Sequence, residues 1–168
     1  MELESIKNEI NSLESEELWE LFGFVQDKLN NLPNVDTKNF PAERGKSFFL
    51  RYMSLKFPEL SIKRMPSNNK NFEFLADNGI RYRVKTIRER SNTTGKFQSA
   101  TFNSKEFDYL MVIIINDQFQ VLEMLKFDWE IVKEYKRYDK SMNSYGFPLN
   151  NLTREKSIQM FSSPSLNE

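Results

Sequence analysis

Six cations crowd one short stretch of this chain: Arg81, Arg83, Lys85, Arg88, Arg90 and Lys96. The first three alternate with Tyr82 and Val84. On an extended strand they share one side, because strand side chains point to opposite faces in turn. Two readings fit this pattern. The residues form a phosphate-contacting patch, or they are the solvated face of a strand whose other side, Ile80, Tyr82 and Val84, is buried. In the polar loop that follows, 91–99, Gln98 and Ser99 carry groups able to reach base edges. The available chemistry is narrow. The chain has no His and no Cys, which excludes histidine bases, Ser-His triads, zinc-thiolate sites and disulfides. Carboxylates, Lys, Tyr, Ser or an oxygen-held metal are what remain.

At 168 residues the chain suits one core. Lys plus Arg equals Asp plus Glu, at 24 each, so an attraction for polyanions must come from a local face. Fifteen Phe point to a core built on large rings. The acidic start Met1-Glu2-Leu3-Glu4 lacks a signal peptide's basic region. The apolar run Tyr109 to Ile115 is too short to span a bilayer. A cytoplasmic protein with no membrane partner is the expectation.

The elements that must position these residues are legible in outline. Leu18, Leu21, Phe22, Val25, Leu29 and Leu32 recur at helical spacing within a helical segment, 1–33, for which Ser15-Glu16-Glu17 makes a start and Pro33 the stop. Its apolar stripe predicts a core face or a homodimer face. Pro41 opens a second helix that ends before Pro58. Strands are predicted at Leu60 to Met65, Phe72 to Leu75, Ile80 to Lys85, Phe107 to Ile115 and Phe119 to Met124. Asp77-Asn78-Gly79 is a hairpin turn. The unbroken apolar run of the fourth strand suits a central position covered on both faces. Asp108, which opens it, is expected to serve structure by capping a neighbouring loop. Phe127 to Tyr135 reads as a short helix with Asp128 as its N-cap. The stretch 138–151 reads as polar and irregular, and Leu152 to Phe161 is ambiguous. Two helices, about five strands and one or two closing helices make a mixed sheet with helices packed on it. The expected organisation is a helical segment at 1–33, an α/β core at 41–161 and a flexible tail at 162–168.

In this order the segments from Pro41 to Tyr135 resemble the core of the PD-(D/E)XK nuclease superfamily, the fold of many restriction endonucleases. Phe72-Glu73-Phe74 is similar to its first acidic strand. Arg83-Val84-Lys85 stands where acid-any-lysine or glutamine-any-lysine is found. Phe107-Asp108 opens the apolar strand, as in small bacterial members. The resemblance implies an α/β, restriction endonuclease-like mixed sheet flanked by helices. It further implies that Glu73 is catalytic and binds Mg²⁺, that Lys85 is the catalytic cation, and that the substrate is DNA. In that chemistry the metal polarises the phosphate and generates the nucleophile, while the lysine stabilises the transition state.

Two positions depart from the pattern. Arg83 replaces the second acid. A guanidinium about 5 Å from Mg²⁺ at an effective dielectric of ~20 gives a gross repulsion of roughly 6–7 kcal/mol, against about 4 kcal/mol for millimolar binding. Phe49 stands at the position of the helical acid, so Glu43, Asp77 and Glu89 are the acids that could have migrated. Asp77 also suits the turn, and Glu89 a surface ion pair. The functional expectation is a restriction endonuclease-like, Mg²⁺-dependent DNA hydrolase. The alternative is a catalytically inactive nuclease-fold protein that binds nucleic acid, or a protein partner, in a bacterial defence or repair assembly.

Overall fold

A computed structural model of the chain describes residues 2–32, 39–89, 97–102, 106–116, 119–141 and 143–163. It divides into two compact units, Met1–Glu43 and Arg44–Glu168. The first contains α1 (Leu3–Ile10) and α2 (Ser15–Asn30), so the helical segment is broken at residues 11–14. The break has a local cause. The Glu14 N–H donates to the Glu17 carboxylate at 2.8 Å, which starts a new helix at Ser15, where acids meet the positive helix end. Leu18 and Val25 of α2 are exposed. Among the described residues no helix is long and apolar enough to cross a membrane.

Helix α3 (Phe40–Lys56) begins in the first unit and runs into the second. The α/β unit then holds β1 (Ile62–Arg64), β2 (Phe74–Ala76), β3 (Arg81–Arg88), β4 (Phe97–Phe102), β5 (Tyr109–Ile115) and β6 (Val121–Asp128). After these come α4 (Trp129–Tyr135), β7 (Arg137–Asp139), β8 (Ser144–Leu149), α5 (Asn151–Glu155) and β9 (Ile158–Ser162). Six strands form one mixed sheet in the order β1-β2-β3-β5-β6-β9, and β4-β8-β7 form a second. Only β3 and β5 run parallel. This is the mixed α/β architecture with flanking helices that the periodicity predicts.

The apolar run of β5 is central, between β3 and β6. Met111, Ile113 and Ile115 enter one core, and Leu110, Val112 and Ile114 the other. Helix α3 covers the first face, where the Phe49 ring lies 5.0 Å from Phe74 and 5.3 Å from Tyr82. Gly45 permits this approach: a Cβ there would sit 1.9 Å from Thr86 Oγ1. The opposite face is covered by Trp129 and Val132 of α4 and by Phe147 and Leu149 of β8.

Several expectations change. Residues 138–151 are not irregular. They build β7 and β8, because Phe147 and Leu149 alternate inward beneath an otherwise polar composition. The ambiguous residues 152–161 resolve into a one-turn helix capped by Asn150 and then edge strand β9. Strand β6 starts two residues later than expected and runs on to Asp128. The chain turns at Phe119, which adopts a left-handed φ of 59°. Asp128 then caps α4 as predicted, accepting from the Ile131 N–H at 3.0 Å. Loop residues 97–99 belong to β4, and 164–168 of the expected tail lie outside the described residues.

Candidate functional site

The candidate site forms where β2 leaves β3. Their ladder pairs Phe74 with Tyr82 and Leu75 with Arg81. One step further the Glu73 N–H donates to the Tyr82 carbonyl at 3.0 Å. By strand alternation the Val84 N–H also points toward β2, but β2 offers it no carbonyl. The Glu73 carboxylate takes that place, with Oε2 accepting from the Val84 N–H at 2.8 Å. Its other oxygen, Oε1, lies 3.8 Å from Lys85 Nζ. The structure therefore brings together Glu73 and Lys85, from two strands, at one point of chain divergence.

Arg83 is the largest departure from the expected basic face. It is 6% exposed, so β3 does not present three solvated cations. Its NH1 donates to the carbonyls of Lys70 at 2.8 Å and Asn71 at 2.7 Å, and its guanidinium lies 5.9 Å from the Phe107 ring. The physical reason is the second layer. Phe107 and the β8 sheet cover the face that a lone strand would leave to water. Burial lowers the Arg83 pKa, opposed by the charges of Glu73 and Glu106. Lys85 is also held below the usual lysine range. Burial is the main cause, Arg83 and Lys46 repel in the same direction, and Glu73 pulls the other way. Arg83 and Lys85 thus share the charge of Glu73, with Lys46 acting on Lys85 and Glu106 on Arg83.

The remaining candidates are placed elsewhere. Arg81 is bound to Asp108: its Nε and NH2 each donate to a carboxylate oxygen at 3.0 Å, and its backbone N–H donates at 2.9 Å. Asp108 thus has a structural role, bracing β3 where β5 begins. Arg88 lies over the Phe119 ring at 4.9 Å, and Arg44 Nε donates to the Phe119 carbonyl at 3.0 Å. Arg90 and Lys96 lie outside the described residues, as do the side chains of Gln98 and Ser99.

Two of the acids that could have migrated, Asp77 and Glu89, lie away from Glu73 on the α/β unit. Asp77 does not serve its turn: its carboxylate accepts from the Ser61 N–H at 3.3 Å, tying the start of β1 to the end of β2. Glu89 is exposed at the far end of β3. Glu43 is buried and belongs to the N-terminal unit, while Phe49 is a fully buried core ring. Among the described residues no three Asp, Glu, His or Cys are grouped to hold a metal ion. Both Glu73 oxygens have cationic or N–H neighbours, and a guanidinium holds the second-acid position. These residues do not fit the Mg²⁺ site that the resemblance implies.

Sequence reasoning missed one available signal. The zero net charge conceals segregation. Residues 1–43 carry ten carboxylates against three lysines, whereas 44–168 carry twenty-one Lys and Arg against fourteen carboxylates. The α/β unit is cationic as a whole, which raises the local concentration of polyanions around it.

No protein-family model matches the chain, and no curated protein is similar to it in sequence. Among solved structures, that of a bacterial homing endonuclease, I-Ssp6803I, is similar with a TM-score of 0.39 and 8% identity, over 69% of this chain and 81% of the other. At that degree of likeness the neighbour's activity does not carry over to this chain.

Proposed function

We propose that this chain is a restriction endonuclease-like protein that binds DNA at the β2–β3 site and does not cleave it through a Glu73-bound metal. The observation that carries the reading is Arg83. A PD-(D/E)XK site with an acid at this position attracts Mg²⁺, whereas a guanidinium there repels it; Arg83 itself is buried on the Lys70 and Asn71 carbonyls, which leaves Lys85 as the cation that meets phosphate. Lys85, 29% exposed beside Glu73, is the phosphate contact within the site. The net positive charge of the α/β unit supplies the sequence-independent attraction.

The test is a gel shift over a salt series, run beside a cleavage assay on plasmid and single-stranded DNA with Mg²⁺ or Mn²⁺. Binding without cleavage is expected. Lys85→Ala should weaken it on all sequences and reduce the salt slope by about 1. Metal-dependent cleavage that Glu73→Ala removes overturns the reading in favour of an active nuclease. Arg83→Glu should raise Mg²⁺ affinity by calorimetry, and unchanged metal binding would count against the nuclease-like placement of the site. A homodimer through α2 is a companion proposal, supported by the exposure of Leu18 and Val25. Sedimentation of wild type and Val25→Glu at matched concentration tests it.

A further inference from the structure

A second constellation lies away from the β2–β3 site, on the small sheet. Tyr138 of β7 is 51% exposed and stands directly opposite Tyr145 of β8. The two rings meet edge to face with centroids 5.3 Å apart. Both ends of the Tyr138 side chain are held. Its backbone is in the β7–β8 ladder, and its hydroxyl donates to Asn143 Oδ1 at 2.6 Å. Asn143 adopts a left-handed φ of 47°, a conformation that Asn tolerates better than most residues. A large ring is thus oriented while half of it stays in water.

The charges around this ring are sorted. Lys136, two residues before Tyr138 and on the same side of the strand, holds its ammonium 4.2 Å from the Tyr145 centroid and 5.7 Å from Trp129. Lys140 is exposed two residues after Tyr138, whereas Arg137, its strand neighbour, points to the other face. The adjacent carboxylate is turned away: Asp139 Oδ1 accepts from the Ser141 N–H at 2.8 Å and its hydroxyl at 2.6 Å. Cations on an edge strand also discourage strand addition. That role does not require an oriented, exposed aromatic ring among them.

We propose that Tyr138, braced by Tyr145 and flanked by Lys136 and Lys140, is a stacking site for an unpaired base of a single-stranded nucleic acid. A ring offers any base a face to stack on, and neighbouring cations follow the phosphates, which together give sequence-tolerant single-strand binding. The cations favour this polyanion over a neutral sugar, which would use the ring alone. The stacking site does not depend on the β2–β3 site.

The experiment is fluorescence anisotropy with a labelled oligothymidylate about a dozen nucleotides long, within the span such sites cover, and with the matching duplex. Tyr138→Ala should weaken single-strand binding about five- to a hundredfold, the range for losing one stacked base, and leave duplex binding unchanged. Tyr138→Phe keeps the ring and should retain most of the affinity. Far-UV circular dichroism of both variants confirms the fold. If the oligothymidylate does not bind the wild type, or if Tyr138→Ala binds it like wild type or loses both ligands equally, the proposal fails. Lys85→Ala separates the two sites. A variant that loses duplex binding while Tyr138→Ala stays normal leaves the β2–β3 site standing and removes the stacking site, and the reverse pattern does the opposite.

Discussion

Replacing Arg83 with methionine isolates what the buried guanidinium does. Met preserves a long apolar side chain against the Phe107 ring and adapts to irregular space, but it removes two charge-assisted hydrogen bonds. Those bonds hold the Lys70 and Asn71 carbonyls at 2.8 and 2.7 Å, on the segment that leads into Glu73. At about 1.5–3 kcal/mol for each bond to a charged group, the gross loss is roughly 3–6 kcal/mol. Relief of guanidinium desolvation offsets part of it. A net destabilisation of about 2–3 kcal/mol is expected, a large fraction of a typical domain's stability. Urea denaturation followed by circular dichroism measures it, with a shifted midpoint and an unchanged slope. The same change withdraws a charge that repels Lys85, so the lysine's pKa should rise toward its ordinary value, which NMR titration reads. A neutral or stabilising Arg83→Met refutes the reasoning. It would mean that desolvation outweighs the two bonds and that Arg83 does not hold the segment that leads into Glu73.

Three further outcomes follow from the geometry. Gly45→Ala drives a Cβ to 1.9 Å from Thr86 Oγ1. Overpacking should cost roughly 1–3 kcal/mol despite the better helix propensity of Ala, and the double variant with Thr86→Ala should recover part of the loss in thermal melts. Burial lowers the Lys85 pKa from 10.5, so the unfolded chain binds more protons at alkaline pH. Wild-type stability should therefore rise relative to Lys85→Met as pH approaches 10.5, and parallel denaturation curves across that range would contradict the shift. Asp108→Ala removes the Arg81 pair, which is about one-third exposed on both sides. It should cost about 1–2 kcal/mol, combining a surface ion pair with a lost backbone hydrogen bond, as read by chemical denaturation.

Local pattern carried much of the fold. The turn at Gly79 was legible because its φ of 85° suits only glycine comfortably. The N-cap at Asp128 was legible because capping is a contact between near neighbours. The central place of β5 followed from an apolar run that no half-exposed strand would carry. The site was only half legible. The resemblance points to Glu73 and Lys85, which do stand together, but nothing in the sequence shows the fate of Arg83. An alternating basic strand reads as solvated unless something covers it, and here the cover comes from Phe107 and from β8, more than sixty residues away in sequence.

By itself the sequence determined whatever depends on residue type and short range: the absence of histidine and cysteine chemistry, the turns and caps, the strand periods, and the acidic first 43 residues beside a basic remainder. Tertiary structure alone decided which cations meet water. It set the divergence of β2 from β3 that hands the Val84 N–H to Glu73, the layer that buries Arg83, and the ladder that sets Tyr138 against Tyr145. Burial and ion pairing depend on what arrives from distant segments, and a charge pattern along one strand holds no record of the surface that will cover it.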